Sequence, residues 1–305
     1  MREAKRKFRF SVAIKILRFF MVKALIAFVA LTLASSNAPA KGTQPQAPRV
    51  KSASLSLASP VTVMAEEDRE AEQELLELAN QARQQAGTSP LQEDAGLTQA
   101  ALAHAQEMAN QQQLSHQFAG EPSLTDRLAI NTNLHLDRAG ENVAYAATVE
   151  RVQAVLMASL PHRENLLNVG YNVVGIGVLR VGEVLYVTQD FGHGLPAYSA
   201  QASADIVAEG VNRLRGHNGL SSMQRLDAAA AQSAACAMAN SESLSAPAPR
   251  ASYVIRYTTM QPETLPPSAG RAVADREMRS YSIGSCYART HGYPNGVYWM
   301  VLLFY

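Results

Sequence analysis

The sequence predicts an α+β fold, with helices packed on an antiparallel sheet, and it predicts that this arrangement occurs twice. Apolar residues recur at helical spacing over 66–86 and again over 95–112. The spacing then changes from 3.6 to 2 over 173–187, which is typical of a pair of strands. A similar order of segments returns after residue 200, so we expect a second, truncated unit of the same type.

The first 40 residues have the order of a secretory signal peptide. Basic residues dominate 1–23, an apolar run covers 24–34, and small residues stand at cleavage-site spacing over 38–40. The alternative is a retained anchor, but an apolar helix of that length reaches about 16 Å against a hydrocarbon core of about 30 Å. We therefore expect a secreted or periplasmic protein without a stable transmembrane span, with Met21 as an alternative start and a linker over 41–64.

Charge excludes one class of partner. Eight of the 27 Lys and Arg residues, but only one of the 26 Asp and Glu residues, lie within 1–23, so the rest of the chain is acidic. A nucleic-acid-binding protein normally shows a basic patch, and the sequence shows none after the leader. We therefore expect no nucleic-acid partner.

Helix and strand signals can be placed in order along the chain. The predicted helices cover 66–86, which Gly87 ends, then 95–112, and then 150–159 with a weaker pattern. The predicted strands cover 173–179 and 184–187, and Gly182 lies in the turn between them. The last strand ends the chain.

Four stretches of the second part are similar to stretches of the first. Residues 212–219 are similar to 80–87, residues 237–240 to 107–110, residues 244–245 to 114–115, and residues 283–286 to 174–177. The second copy is shorter by about twenty residues between its helices and its strand pair. Chance similarity of Ala-rich helices is the alternative. If the repeat is real, the second copy has a structural or partner-binding role, because Ala246 stands where the first copy has His116.

Four motifs in the first part stand in a fixed order. They are Asn80-x-x-Arg83-x-x-x-Gly87, Leu114-Ser115-His116, Gly140-Glu141-Asn142 and Pro161-His162-Arg163-x-Asn165. With this order and spacing, residues 70–193 resemble the CAP superfamily of cysteine-rich secretory, venom-allergen and pathogenesis-related proteins, in its bacterial SCP-like form. The resemblance implies an α-β-α sandwich over 65–196, followed by a degenerate CAP-like unit over 197–305.

The resemblance also implies a cavity lined by His116, Glu141 and His162. These residues could pin three loops by hydrogen bonds, His116 and His162 could bind a divalent metal such as Zn or Cu, or Glu141 could act in acid–base catalysis. The second cavity acid of many relatives is missing, because 156–159 contains no acidic residue. Three cavity residues are therefore expected.

Two functions follow as expectations. The first is a secreted, non-enzymatic binding module that holds a divalent metal, a small apolar molecule or a component of the cell envelope. The alternative is a metal-dependent or acid–base hydrolase of the peptidase kind, acting on extracellular or envelope substrates. No nucleophile motif supports the hydrolase, because the sequence contains neither G-x-S-x-G nor H-E-x-x-H.

The remaining histidines and the two cysteines are expected to be structural. His104 shares the apolar face of its helix, so we expect it in the core, whereas His135 and His193 are expected in loops. Outside the cytoplasm, Cys236 and Cys286 are expected to form a disulfide, with two buried thiols as the alternative. The aromatic residues of the final strand pair are expected in the core, with some facing the first unit or a ligand.

Overall fold

Two sheets, each covered by helices on both faces, make up the part of the chain that the structure describes. The structure is a computed structural model, and it describes residues 65–305. The signal-peptide and linker interpretations concern 1–64 and lie outside these residues. We call residues 66–195 the first half and residues 200–304 the second half; both belong to one compact unit.

The first half contains five strands, all in one sheet, and five helices. They are β1 (Glu66–Glu67), α1 (Arg69–Gln85), β2 (Gln92–Glu93), α2 (Ala95–Gln111), α3 (Leu124–Asn131), β3 (His135–Ala146), α4 (Val149–Ala158), α5 (Leu160–Leu166), β4 (Val173–Val181) and β5 (Val184–Leu195). The strands are ordered β1-β4-β5-β3, with β2 also paired to β4. All pairs are antiparallel except β2 with β4.

The first sheet lies between two helical layers, which confirms the predicted α-β-α sandwich. Helices α1, α4 and α5 pack on one face, where Leu75, Leu156 and Phe191 share a buried apolar cluster. Helix α2 packs on the other face and approaches β4 very closely. A Cβ atom on Gly175 would lie 2.0 Å from the backbone carbon of Leu97, so this contact needs glycine.

Side-chain caps set the boundaries of the first two helices. Asp68 accepts a hydrogen bond from the Ala71 amide at the start of α1, and Asp94 accepts one from the Leu97 amide at the start of α2. The expectation that the first helix starts at 66 is wrong, because 66–67 pair with β4 as strand β1. The helices α2 and α4 and the β4–β5 pair agree with the predicted segments to within a few residues, although both strands are longer.

The second half repeats the order of helices and sheet in shorter form. Its elements are α6 (Ala200–His217), β6 (Gln224–Arg225), α7 (Ala229–Ser241), β7 (Tyr253–Thr259), α8 (Ala269–Ala274), β8 (Ser280–Thr290) and β9 (Tyr293–Phe304). The sheet is ordered β6-β8-β9-β7. Helices α6 and α8 share one apolar cluster with the sheet, and α7 shares another. Cys236 on α7 and Cys286 on β8 form the expected disulfide.

One buried arginine occupies the same place in each half. Arg83 of α1 donates to the carbonyls of Ser89, Leu166, Asn168 and Tyr171. Arg215 of α6 likewise donates to carbonyls of the loops and of the helix end beside it, at Ser221, Val273, Asp275 and Met278. Both guanidinium groups satisfy loop carbonyls that would otherwise be buried without donors. The sequence echo between 80–87 and 212–219 therefore corresponds to a shared packing device.

Two histidines lie in strands rather than in the expected loops. His135 begins β3 and is 2% exposed, with its ring packed against the rings of Tyr287 and Tyr298 of the second half. His193 lies in β5, where its Nδ1 atom is 2.7 Å from Oδ1 of Asp137. The loop expectation is wrong in both cases because β3 and β5 pair along their full length.

Candidate functional site

The structure brings the three residues of the implied cavity together at strand β3. Nδ1 of His116 lies 2.8 Å from Oε1 of Glu141, and the rings of His116 and His162 have centroids 6.4 Å apart. The Glu141 side chain is 4% exposed, whereas that of His116 is 58% exposed. A buried carboxylate therefore holds one nitrogen of a solvent-facing imidazole, and a second imidazole lies beside it.

The residues next to Glu141 explain how three separate segments are held in place. Successive side chains of a strand point to opposite faces, so Asn142 turns away from Glu141. Its Nδ2 donates to the His162 carbonyl at 3.0 Å, while Nδ2 of Asn165 donates to the Glu141 carbonyl at the same distance. These two amides join strand β3 to helix α5. The helix that carries His162 is thus fixed to the strand that carries Glu141.

The glycine of the Gly-Glu-Asn motif makes room for this junction. A Cβ atom on Gly140 would lie 2.4 Å from the hydroxyl oxygen of Tyr171 and 3.3 Å from Oδ1 of Asn165. The Tyr171 hydroxyl donates to the Ala139 carbonyl at 3.1 Å. A larger residue at 140 would therefore displace both the tyrosine and the amide that connect β3 to its neighbours.

Arg127 of helix α3 holds the second oxygen of the Glu141 carboxylate. Its Nη2 atom donates to Oε2 of Glu141, and its Nη1 atom lies 3.4 Å from Oε1 of Glu121. The Arg127 side chain is buried, so the pair is shielded from solvent. Arg127 thus holds Oε2 of Glu141 and His116 holds Oε1, while Nε2 of His104 lies 3.8 Å from Oε2. Arg127 was not among the predicted site residues, because no helix was predicted over 124–131.

His104 is buried as expected, but it belongs to the polar network beneath the site. Its Nδ1 atom lies 2.6 Å from Oε1 of Glu121, and its Nε2 atom donates to the Ser115 carbonyl at 2.8 Å. Ser115 directly precedes His116. His104 therefore fixes the backbone that presents His116, and the apolar spacing of helix α2 gave no indication of this role.

Asp190 is a second buried acid in contact with this network. It lies opposite Glu141 in the β3–β5 register and is fully buried. Burial, and next the negative charge of Glu141, raise the pKa of Asp190 well above its ordinary value. Asp190 therefore holds its proton more tightly than an exposed aspartate does, and it lies beside the carboxylate that Arg127 and His116 contact.

His162 is a neutral imidazole at neutral pH. Burial, and next the proximity of His116, lower the pKa of His162 below its ordinary value of 6.5. A neutral imidazole offers a lone pair, which is the form that binds zinc or copper.

The site offers two imidazoles rather than a full set of metal ligands. Within residues 65–305, no group of three or more His, Cys, Asp or Glu side chains is arranged to hold a metal ion. Glu141 is occupied by His116 and Arg127, so its place is behind His116 rather than on a metal. The donor chemistry fits a two-histidine site in which Glu141 orients one ligand.

A cavity lies next to the network, between helices α2 and α3. Its volume is about 420 Å³, and its lining includes Ala100, Ala103, Ile130, Glu121 and Arg127. It shares the last two residues with the network but is not lined by His116 or His162. The imidazole pair and this cavity are therefore separate features.

Of the helices in residues 65–305, none combines the length and the apolar character required to cross a membrane.

One family model matches most of the first half. Residues 76–191 match the family model described as CAP, the cysteine-rich secretory protein family. Two proteins of Bacillus subtilis (strain 168) are similar. The uncharacterized protein YkwD is 34% identical over 39% of this chain and 46% of its own length. The uncharacterized membrane protein YlbC is 34% identical over 39% of this chain and 34% of its own length. The chain thus spans less than half the length of these relatives.

One solved structure is similar to part of this chain. It is the crystal structure of an extracellular protein containing a SCP domain from Bacillus anthracis str. Ames, 28% identical, with 41% of each chain covered and a TM-score of 0.37. The match to the family model spans every motif from Arg83 to Asn165. Residues 76–191 of this chain therefore form a bacterial CAP-superfamily domain.

Proposed function

We propose that this protein is an exported binding module in which His116 and His162 bind a divalent cation such as Zn²⁺ or Cu²⁺. Glu141 orients the first of these ligands from behind. The observation that carries the proposal is the 2.8 Å contact between Nδ1 of His116 and Oε1 of Glu141. Metal-binding histidines typically donate their other ring nitrogen to a carboxylate in this way.

The hydrogen bonds of the site leave the outer nitrogen of His116 available. Within residues 65–305, the His116 ring makes one hydrogen bond, through Nδ1, and Nε2 makes none. Nε2 is thus the lone-pair nitrogen, and the neutral His162 ring beside it supplies a second. Two protein ligands leave the other coordination positions to water or to a further ligand. The proposed site is therefore open and exchangeable, suited to a small molecule or an envelope component that itself offers a donor.

Calorimetric titration of the metal-free protein with Zn²⁺ and with Cu²⁺ tests this proposal. The double variant His116→Ala with His162→Ala is expected to lose the binding, and His291→Ala, in an exposed turn, is the matched control. Glu141→Gln is expected to weaken binding by about 10- to 100-fold, as the loss of an orienting partner does. Equal heats from wild type and double variant would show that these imidazoles bind no metal.

A hydrolase is the second candidate, and one observation favours it. An exposed imidazole held by a buried carboxylate is the arrangement of a general base that activates water. The adjacent Ser115 hydroxyl is not aimed at this imidazole, because it donates to the Gln117 carbonyl at 2.8 Å. A panel of peptides, esters and peptidoglycan tests this reading: turnover that Glu141→Gln abolishes without unfolding supports it, and no turnover on the whole panel removes it.

The proposal extends to the organisation of the chain. Residues 1–40 act as a signal peptide, 41–64 as a linker, 65–196 as the CAP domain and 197–305 as a degenerate CAP-like unit. Buried Ala246 supports the loss of the site from the second unit, because it stands where the first has His116. Amino-terminal sequencing of the exported protein tests the leader, and a mature chain that still contains 24–34 would contradict cleavage.

A further inference from the structure

Arg289 of the second half contacts the first half near the proposed site. It lies on strand β8, and its Nη1 and Nη2 atoms donate to the carbonyls of Ala129 at 2.8 Å and Leu134 at 3.0 Å. Ala129 lies in the last turn of helix α3, and Leu134 directly precedes strand β3. One guanidinium group thus spans the connection between these two elements.

The chemistry of this contact explains why an arginine stands there. The last four carbonyls of a helix have no partner within the helix, and Ala129 is among them in α3. A guanidinium presents its donors in a rigid fork, so it fixes two acceptors at a set separation. The ammonium of a lysine is a single point of contact and cannot define that separation. Arg289 therefore satisfies one free carbonyl of α3 and ties it to the residue that precedes β3.

The connection that Arg289 contacts lies between Arg127 and Glu141, the two residues of the buried ion pair. Arg127 lies two residues before Ala129, and Glu141 lies seven residues after Leu134. The geometry of the Arg127–Glu141 pair therefore depends on the segment between them. Because Glu141 in turn holds His116, a shift of this segment moves the carboxylate that orients the imidazole.

Further contacts from the second half reach the first residues of strand β3, which follow this connection directly. The His135 ring has its centroid 5.2 Å from that of Tyr287 and 5.5 Å from that of Tyr298. Gln261 donates to Oδ2 of Asp137 at 3.2 Å. The second half thus contacts the α3–β3 connection through a charged side chain and the start of β3 through aromatic and polar ones, while it contributes no residue to the imidazole pair.

We infer that Arg289 is a positioning residue for the His116–Glu141–His162 site, and that the second half serves to hold the α3–β3 connection in the shape that pairs Arg127 with Glu141. The inference rests on the proposed function for its metal readout. It assigns a role to a unit that lacks the site residues. Its consequence is that a residue of the second half controls ligand affinity in the first.

The test compares Arg289→Gln with Arg225→Gln in the full protein. Arg225 pairs with Asp205 within the second half and serves as the matched control. Arg289→Gln is expected to weaken Zn²⁺ binding by about 3- to 10-fold, the scale of coupling through a packed network, while the control stays at the wild-type value. An unchanged affinity in Arg289→Gln overturns the inference. If that variant does not fold, Arg289→Lys replaces it, with the same expectation.

A double-mutant cycle separates positioning from general destabilisation. If Arg289 acts through Arg127, then Arg289→Gln has no added effect on affinity in an Arg127→Met background. A full additive effect in that background overturns the proposed route. If the wild type binds no Zn²⁺, the proposed function fails on its own. The inference is then decided by the NMR shifts of the His116 and His162 ring protons, which should move in Arg289→Gln only; no movement overturns it.

Discussion

Glu72 places a titrating carboxyl against the first sheet, so its replacement by glutamine should change how stability depends on pH. Burial raises the pKa of Glu72 from 4.5 to about 7, although the Val178 amide donates to its Oε1 at 3.0 Å. The folded protein therefore keeps this proton between pH 4.5 and 7, where the unfolded chain has lost it. Because the folded state binds more protons there, the free energy of unfolding falls as pH rises through this range.

The size of the effect follows from the two pKa values. The interval between 4.5 and about 7 corresponds to roughly 3 kcal/mol of lost stability above pH 7, which is an upper limit. Glutamine is neutral at every pH, and its Oε1 can still accept from Val178. We expect Glu72→Gln to match the wild type near pH 4.5 and to be more stable by about 1–3 kcal/mol at pH 8.

Urea unfolding at several pH values from 4.5 to 8 measures this difference. Glu74→Gln is the matched control, since Glu74 lies on the same helix but is exposed. Its pH profile should follow that of the wild type. The reasoning is refuted if Glu72→Gln and the wild type lose stability in parallel between pH 5 and 8.

Three further predictions concern the stability of the protein. Replacing Cys236 and Cys286 by serine opens a link across 50 residues, and should cost roughly 4 kcal/mol in urea unfolding; a loss that the reduced wild type does not reproduce would contradict this. Gly175→Val should destabilise the protein by about 1–3 kcal/mol or more, because the added side chain forces α2 from the sheet. Gly216→Ala should stabilise the protein by up to about 1 kcal/mol, because no atom lies near the added Cβ. Thermal melts that rank the two variants otherwise would refute the packing argument. Burial lowers the pKa of His135 below 6.5, so the unfolded chain is protonated before the folded one and the free energy of unfolding should fall as pH drops below 6.5. His135→Phe should weaken this fall. An unchanged dependence of the free energy of unfolding on pH would contradict the prediction.

The sequence revealed the parts of the fold that follow simple spacing. Helix α2 and the β4–β5 pair have clear periods of 3.6 and 2, and the structure has them in the predicted places. Strand β3 was missed because its buried face carries Glu141 and its first residues include Asp137 and Arg138, so alternation of apolar and polar residues is broken. Polar residues of the site occupy positions that apolar residues would otherwise fill, so the strand that carries the site has the weakest strand pattern in the sequence.

The polar network was hidden for a related reason. Family motifs indicated His116, Glu141 and His162, but nothing local to His104 or Asp190 distinguishes a residue that is merely buried from one that faces a charge. His104 sits on an apolar helix face, and Asp190 lies in a strand of otherwise buried residues. Their roles depend on cross-strand register and on helix α3, which are long-range features. A single sequence read locally therefore shows the site residues that belong to motifs better than the buried residues that support them.

The two halves together separate what the fold requires from what the site requires. The second half keeps the buried arginine, Arg215, and the close glycine, Gly284, whose added Cβ would lie 2.1 Å from the backbone of Ala231. Both features satisfy physical demands of any sheet covered this closely by helices, namely donors for buried loop carbonyls and room for a helix. The second half has no equivalent of His116, and its α7–β8 segment is shortened, yet its apolar clusters are complete. The imidazole pair is therefore not needed to build the sandwich. It follows that His116→Ala should leave the fold intact, and that a loss of binding in this variant can be assigned to the site itself.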